Sequence, residues 1–69
     1  MSIGAFAEAV ATRLLAREGI AAIWQLHVAA ARAHREGHPL AGLSIIQIAD
    51  AAERLWADRM RREGEAQVS

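Results

Sequence analysis

The chain has no cysteine, lysine, tyrosine or asparagine, and a single proline. Without cysteine there is neither a disulfide nor a thiolate metal site. That absence matters in a chain of 69 residues. A domain this short hides only about 60% of its unfolded surface when it folds alone. Small folds usually add a disulfide, a metal or a partner chain. The length allows one domain, residues 1–69.

Nucleophiles and bases are scarce as well. The hydroxyls are Ser2, Thr12, Ser44 and Ser69, and the glycines are isolated rather than gathered into a phosphate loop. Pockets that hold small molecules run to about 300 Å³ or more, a large void for so small a core. The expectation is a non-enzymatic chain with no catalytic residue, no cofactor and no metal.

Long hydrophobic runs are missing too. The longest charge-free stretch, Gly19–Ala31, has thirteen residues, where a membrane-spanning helix needs about 20. The start Met1-Ser2-Ile3-Gly4 has no basic segment, and Glu8 interrupts any apolar one. No signal peptide is expected, and a soluble, cytoplasmic chain is.

Nor is there an excess of either charge: eight arginines face eight acids. Phosphate binding needs a basic surplus on at least one face, so a nucleic-acid partner is disfavoured. The balance is uneven along the chain. Residues 1–35 hold four Arg and two Glu, and residues 36–69 hold four Arg and six acids. A +2 half and a −2 half suit antiparallel self-association.

What the sequence does have is alanine, seventeen residues of it, and twenty large apolar side chains. Their spacing is helical, and the fold class is all-α with two or three helices. The string Arg-Glu-Gly occurs at 17–19, 35–37 and 62–64, too irregularly for a structural repeat. Each reads as a helix stop, with Gly in the left-handed conformation beyond the last turn and Arg against the negative end of the dipole. The helices are then 2–18, 20–36 and 44–63, with a loop at 37–43 and a frayed tail at 64–69. Ser44-Ile45-Ile46-Gln47 has the form of a capping box, and Leu43 with Ile48 that of a hydrophobic staple. Ser44 is thereby a cap rather than a nucleophile. At Gly19 the first helix either breaks or runs kinked into the second. The stripe Ile3, Phe6, Val10 and Leu14 is about a quarter-turn out of phase with Ile20, Ile23, Trp24, His27 and Ala31.

Helix 3 places Ile45, Ile48, Ala49, Ala52, Leu55, Trp56 and Met60 on one face. A ladder of Asp50, Arg54, Asp58 and Arg62 runs opposite. Helix 2 has no charge from Ile20 to Ala31. A helix apolar nearly all round needs cover nearly all round, more than two neighbours supply. An antiparallel helical bundle completed by homodimerisation follows, with Ile20, Ile23, Trp24, His27 and Ala31 at the dimer interface.

His27, His34 and His38 are spaced seven and four apart. His34-Arg35-Glu36-Gly37-His38 lacks the Glu directly after the first His that a zincin helix has. His27 lies about 10.5 Å along the axis from His34, too far for one ion within one chain. Dimer contacts through His27 would make assembly pH-sensitive. Gly42-Leu43-Ser44 followed by Ile48 has the look of a helix-turn-helix turn. However, Pro39 falls where the preceding helix should run, and Asp50 and Glu53 would face the phosphates. Arg54, Arg59, Arg61 and Arg62 keep a nucleic-acid-binding or transcription-regulatory role as the alternative. Trp and Arg are the typical hot-spot residues of protein interfaces, which marks Leu55, Trp56, Arg59 and Met60 as a partner-binding patch. The expected role is to bind and mask a partner protein, as an inhibitor, anti-activator or adaptor does. Phages and other mobile elements encode many chains of this size class.

Overall fold

Ser2 opens the first helix by accepting a hydrogen bond from the Ala5 amide at 3.1 Å, an N-cap that satisfies one of the four orphan donors. In a computed structural model that describes residues 2–68, without the side chains of residues 3, 67 and 68, three helices follow one another. They are α1 (Ile3–Glu18), α2 (Ala21–Arg35) and α3 (Pro39–Val68). No strand occurs among the described residues.

The chain breaks at Gly19 rather than kinking. Gly19 has φ 66° and ψ −155°, a region essentially reserved for glycine. It differs from the left-handed helical cap expected of an Arg-Glu-Gly stop in its ψ. The Gly19 amide closes α1 on the Leu15 carbonyl at 2.9 Å, and the Gly19 carbonyl accepts from Ala22 at 3.0 Å as α2 begins.

The second stop is a Schellman motif. Gly37 (φ 84°) donates to His34 and His38 donates to Ala33, at 3.1 and 2.8 Å. The third helix then departs from the sequence reading. It starts at Pro39, five residues before the expected cap at Ser44. Proline fits the first helical position because its missing N–H would be unpaired there in any case. Residues 39–43, expected as loop, are therefore helical, and Ser44 lies inside α3, so neither the capping box nor the staple forms. The helix-turn-helix resemblance goes with them. Gly64 does not stop α3 either. The helix runs on to Val68, so the stretch 64–68 is helical rather than frayed, and Ser69 lies outside the described residues.

Gly42 is buried within α3 for a packing reason. A Cβ placed on it would lie 3.2 Å from the Ala30 carbonyl oxygen. The bare glycine lets α3 press against the backbone of α2. From that crossing α2 runs antiparallel to α3, with His27 further along against Glu53. By contrast α1 runs parallel to α3: Gly4 and Ala7 lie beside Gln47 and Asp50, and Thr12 and Ala16 beside Leu55 and Arg59.

The core is built from alanine. Every fully buried apolar residue among those described is one: Ala7, Ala11, Ala22, Ala30, Ala49, Ala51 and Ala52. Leu15, Ile23, Leu26, Ile48 and Leu55 are only half-buried around the cluster of Ala7, Ala11, Ala51 and Ala52. This corrects the expected face of α1. Phe6, on the large apolar stripe of α1, is 57% exposed, while Ala7 and Ala11 point in; Val10 and Leu14 are half-buried, and the side chain of Ile3 lies outside the described residues. Small side chains at a helix crossing permit the close end of the usual 8–10 Å axial spacing, so the alanine faces meet and the larger residues are turned aside. On α3 the expected face holds through Trp56, with Met60 exposed. The opposite ladder is replaced by other pairings: Asp58 with Arg61, and Arg59 with Glu63 at 3.6 Å.

The result is an open shape. Its accessible surface is 5137 Å², against about 4,250 Å² for a compact monomer of this mass. Its radius of gyration is 13.6 Å, against about 11 Å for this length. Both the end of α3, which outruns α1 and α2, and the uncovered apolar side chains contribute.

Candidate interaction surfaces

Two grooves flank α3. The first lies between α2 and α3 and measures about 690 Å³. Its floor is small: Ala30, Ala31 and Gly42. Its α3 wall is Leu40, Leu43 and Ile46, with Leu40 78% exposed. This wall exists because α3 starts early: Pro39, Leu43 and Ile46 share one side of the helix at i, i+4 and i+7. The same side continues into Asp50 and Glu53. On α2 the groove is lined by His27, Ala31, His34 and Arg35. Trp24 stands one turn from His27 and is 70% exposed, and Ile20 beyond it is exposed as well. The ionisable residues of the groove's lining are His27, His34 and Arg35, whereas Asp50 and Glu53 line a separate hollow with Arg54 and Ala57.

One polar contact bridges the two helices along this face. His27 Nε2 and Glu53 Oε1 are 2.6 Å apart, with both side chains about half exposed. Exposed pairs of this kind contribute about 0–1 kcal/mol. The contact fixes the height of α2 against α3 more than it holds them together.

Of the residues expected at a dimer interface, Ile20, Trp24, His27 and Ala31 share this open side of α2. Ile23 does not, being turned towards the alanine cluster. The α3 wall was missed because Gly42 and Pro39 were read as loop formers. The i, i+4, i+7 spacing from Pro39 was the signal that could have found it.

The second groove, about 410 Å³, lies between α1 and α3. Thr12, Leu15 and Ala16 form one wall and Leu55, Trp56, Arg59 and Arg62 the other. The Arg59 guanidinium lies 5.9 Å from the centroid of the Trp56 ring, within cation–π range. Trp56 and Leu55 are half-buried, so this wall is partly anchored in the core. Met60 is exposed and does not line the groove. The α1 wall was not foreseen, because α1 was expected to turn a different face inward.

The residues with chemistry to offer are dispersed or engaged. The Thr12 hydroxyl donates to the Glu8 carbonyl at 2.8 Å. His34 lies in the last turn of α2 and His38 in the connection to α3. Among the described residues no group of three or more His, Asp and Glu side chains could hold a metal ion. Among them, too, no helix is long and apolar enough to cross a membrane.

The chain matches no known family model, no curated protein and no solved structure.

Proposed function

We propose that this chain is a small, non-enzymatic protein–protein interaction module of the cytoplasm, which binds a partner protein and masks part of its surface. An inhibitor, an anti-activator and an adaptor all work in this way. In the same reading the helices form an antiparallel bundle that a second copy of the chain completes. One observation carries the reading: the buried positions are held by alanine while Phe6, Ile20, Trp24, Leu40, Leu43 and Met60 stand in solvent. Exposed apolar patches of this kind mark interaction surfaces.

The partner surface in this reading is the α1/α3 groove with Leu55, Trp56 and Arg59, extended by Met60. A half-buried Trp stacked under an Arg is pre-ordered, so less freedom is lost on binding. The arginines favour protein over nucleic acid. Arg61 is paired with Asp58 and Arg59 with Glu63, so two of the four cations near the end of α3 are already neutralised.

The test is capture of a partner by the tagged chain from its source cells, with wild type and Trp56→Ala compared. One protein retained in stoichiometric amount, and lost with Trp56→Ala, supports the reading. Salt-dependent retardation of DNA with no such protein captured overturns it.

A further inference from the structure

We infer that the α2/α3 face is the seat of a second copy of this chain, docked antiparallel about a two-fold axis that passes at the level of His27. The inference rests on the homodimer reading above and specifies its surface and its register.

A two-fold interface must be self-complementary, because each residue i that meets residue j is matched by j meeting i. This face meets the condition in shape. It carries a projecting Trp24 and, one to two turns away, a hollow floored by Ala30, Ala31 and Gly42. Trp24 lies three residues before His27 and Ala30 three residues after it, each about 4.5 Å along the axis. An antiparallel copy turned about His27 therefore lays its Trp24 into this hollow and receives the first Trp24 in its own.

The apolar wall follows too, since Leu40 and Leu43 come to lie over Trp24 and Ile20 of the second copy. The surface in excess of a compact monomer, roughly 900 Å², is of the same order as the ~800 Å² that each partner gives to a standard interface.

Sedimentation of the whole chain tests this directly. Wild type is expected at twice the chain mass of 7.5 kDa. Leu43→Arg and Trp24→Glu each halve the mass while circular dichroism stays helical, because both side chains are more than half exposed in the single chain. Arg62→Glu, at an exposed residue of the other groove, leaves the dimer mass unchanged. The register has its own probe, made clean by the absence of native cysteine. A residue on a two-fold axis meets its own copy, so His27→Cys forms an interchain disulfide under mild oxidation. Arg35→Cys does not, because it sits about 12 Å from the axis and about 24 Å from its copy, beyond the span of a disulfide.

A wild-type chain that sediments as a monomer overturns the homodimer reading and this inference together. A wild-type dimer that ignores Leu43→Arg and Trp24→Glu, or that dissociates with Arg62→Glu, overturns the face alone. Cross-linking through Arg35→Cys in place of His27→Cys overturns the antiparallel register.

Discussion

Two glycines of α3 set opposite demands on the same substitution. In a helix interior Ala is favoured over Gly by about 0.8–1 kcal/mol, because it loses less backbone freedom on folding. At Gly64 nothing lies within 4 Å of an added Cβ, so Gly64→Ala should realise most of that gain. At Gly42 the added carbon would sit 3.2 Å from the Ala30 carbonyl oxygen, 3.7 Å from the His34 nitrogen and 3.8 Å from the Ala33 Cβ. The first neighbour is backbone and cannot rotate away, so the helices must part by a few tenths of an ångström. Forcing a carbon into a packed contact costs about 1–3 kcal/mol. Set against the propensity gain, Gly42→Ala falls between neutral and about 2 kcal/mol destabilising. For a domain of this size each kcal/mol moves the midpoint by roughly 4–8 °C. Thermal unfolding followed at the helix band, at one protein concentration, should place Gly64→Ala a few degrees above wild type and Gly42→Ala at or below it. Gly42→Val, with two further carbons in the same gap, should fall below both. If Gly42→Ala stabilises as much as Gly64→Ala, the helices do not meet at Gly42 and the α2/α3 crossing described above is wrong.

Gly19→Ala forces a Cβ into a backbone region that only glycine enters readily, and should lose about 1–3 kcal/mol by urea unfolding. Gly37→Ala, at an ordinary left-handed cap, should lose about 1–2 kcal/mol. A Gly19→Ala chain as stable as wild type would argue for a continuous α1–α2 helix. Glu53→Gln removes the charge opposite His27 and should change stability by less than about 1 kcal/mol, because the pair is half exposed; a larger loss in the same titration would show a contact shielded from water. Ala11→Leu places three carbons in a fully buried site and should cost about 1–3 kcal/mol. A neutral result would mean that the alanine core is loosely packed.

The helical class was legible from spacing alone, and so was the stop at Gly37, which follows a full helical run; at Gly19 the spacing left a break and a kinked continuation both open, because no polar N-cap follows it. Three features were not. Gly42 and Pro39 are loop signals by composition, yet Pro39 opens a helix and Gly42 is a contact point, a role visible only once α2 is known to cross there. Gly64 resembles Gly19 and Gly37 locally. A glycine ends a helix only where the chain has reason to turn, and beyond Gly64 nothing draws it back to the body. The burial of α1 was misjudged because large apolar side chains were given more weight than alanine. Where helix backbones approach closely, alanine takes the contact and a residue such as Phe6 is displaced to the rim. The outward Trp24 stripe was readable, because a charge-free helix between two neighbours leaves a side without cover.

The alanine core joins stability to recognition in this chain. Alanine carries little apolar area, so a core made of it brings helices together closely but removes little surface from water. With 5137 Å² exposed, the single chain hides roughly 53% of the surface its unfolded form would present, less than the ~60% usual for independent domains of about this length. Covering a further ~800 Å², the share of one partner in a standard interface, would bring the hidden fraction to about 60%. Several of the large side chains that a self-sufficient fold would place inside, Ile20, Trp24, Leu40 and Leu43 among them, stand instead on the open side of α2 and α3, where another surface can meet them. A partner that binds only the folded chain stabilises it in proportion to its occupancy. The residues that weaken this domain as a monomer are therefore the ones through which association would strengthen it.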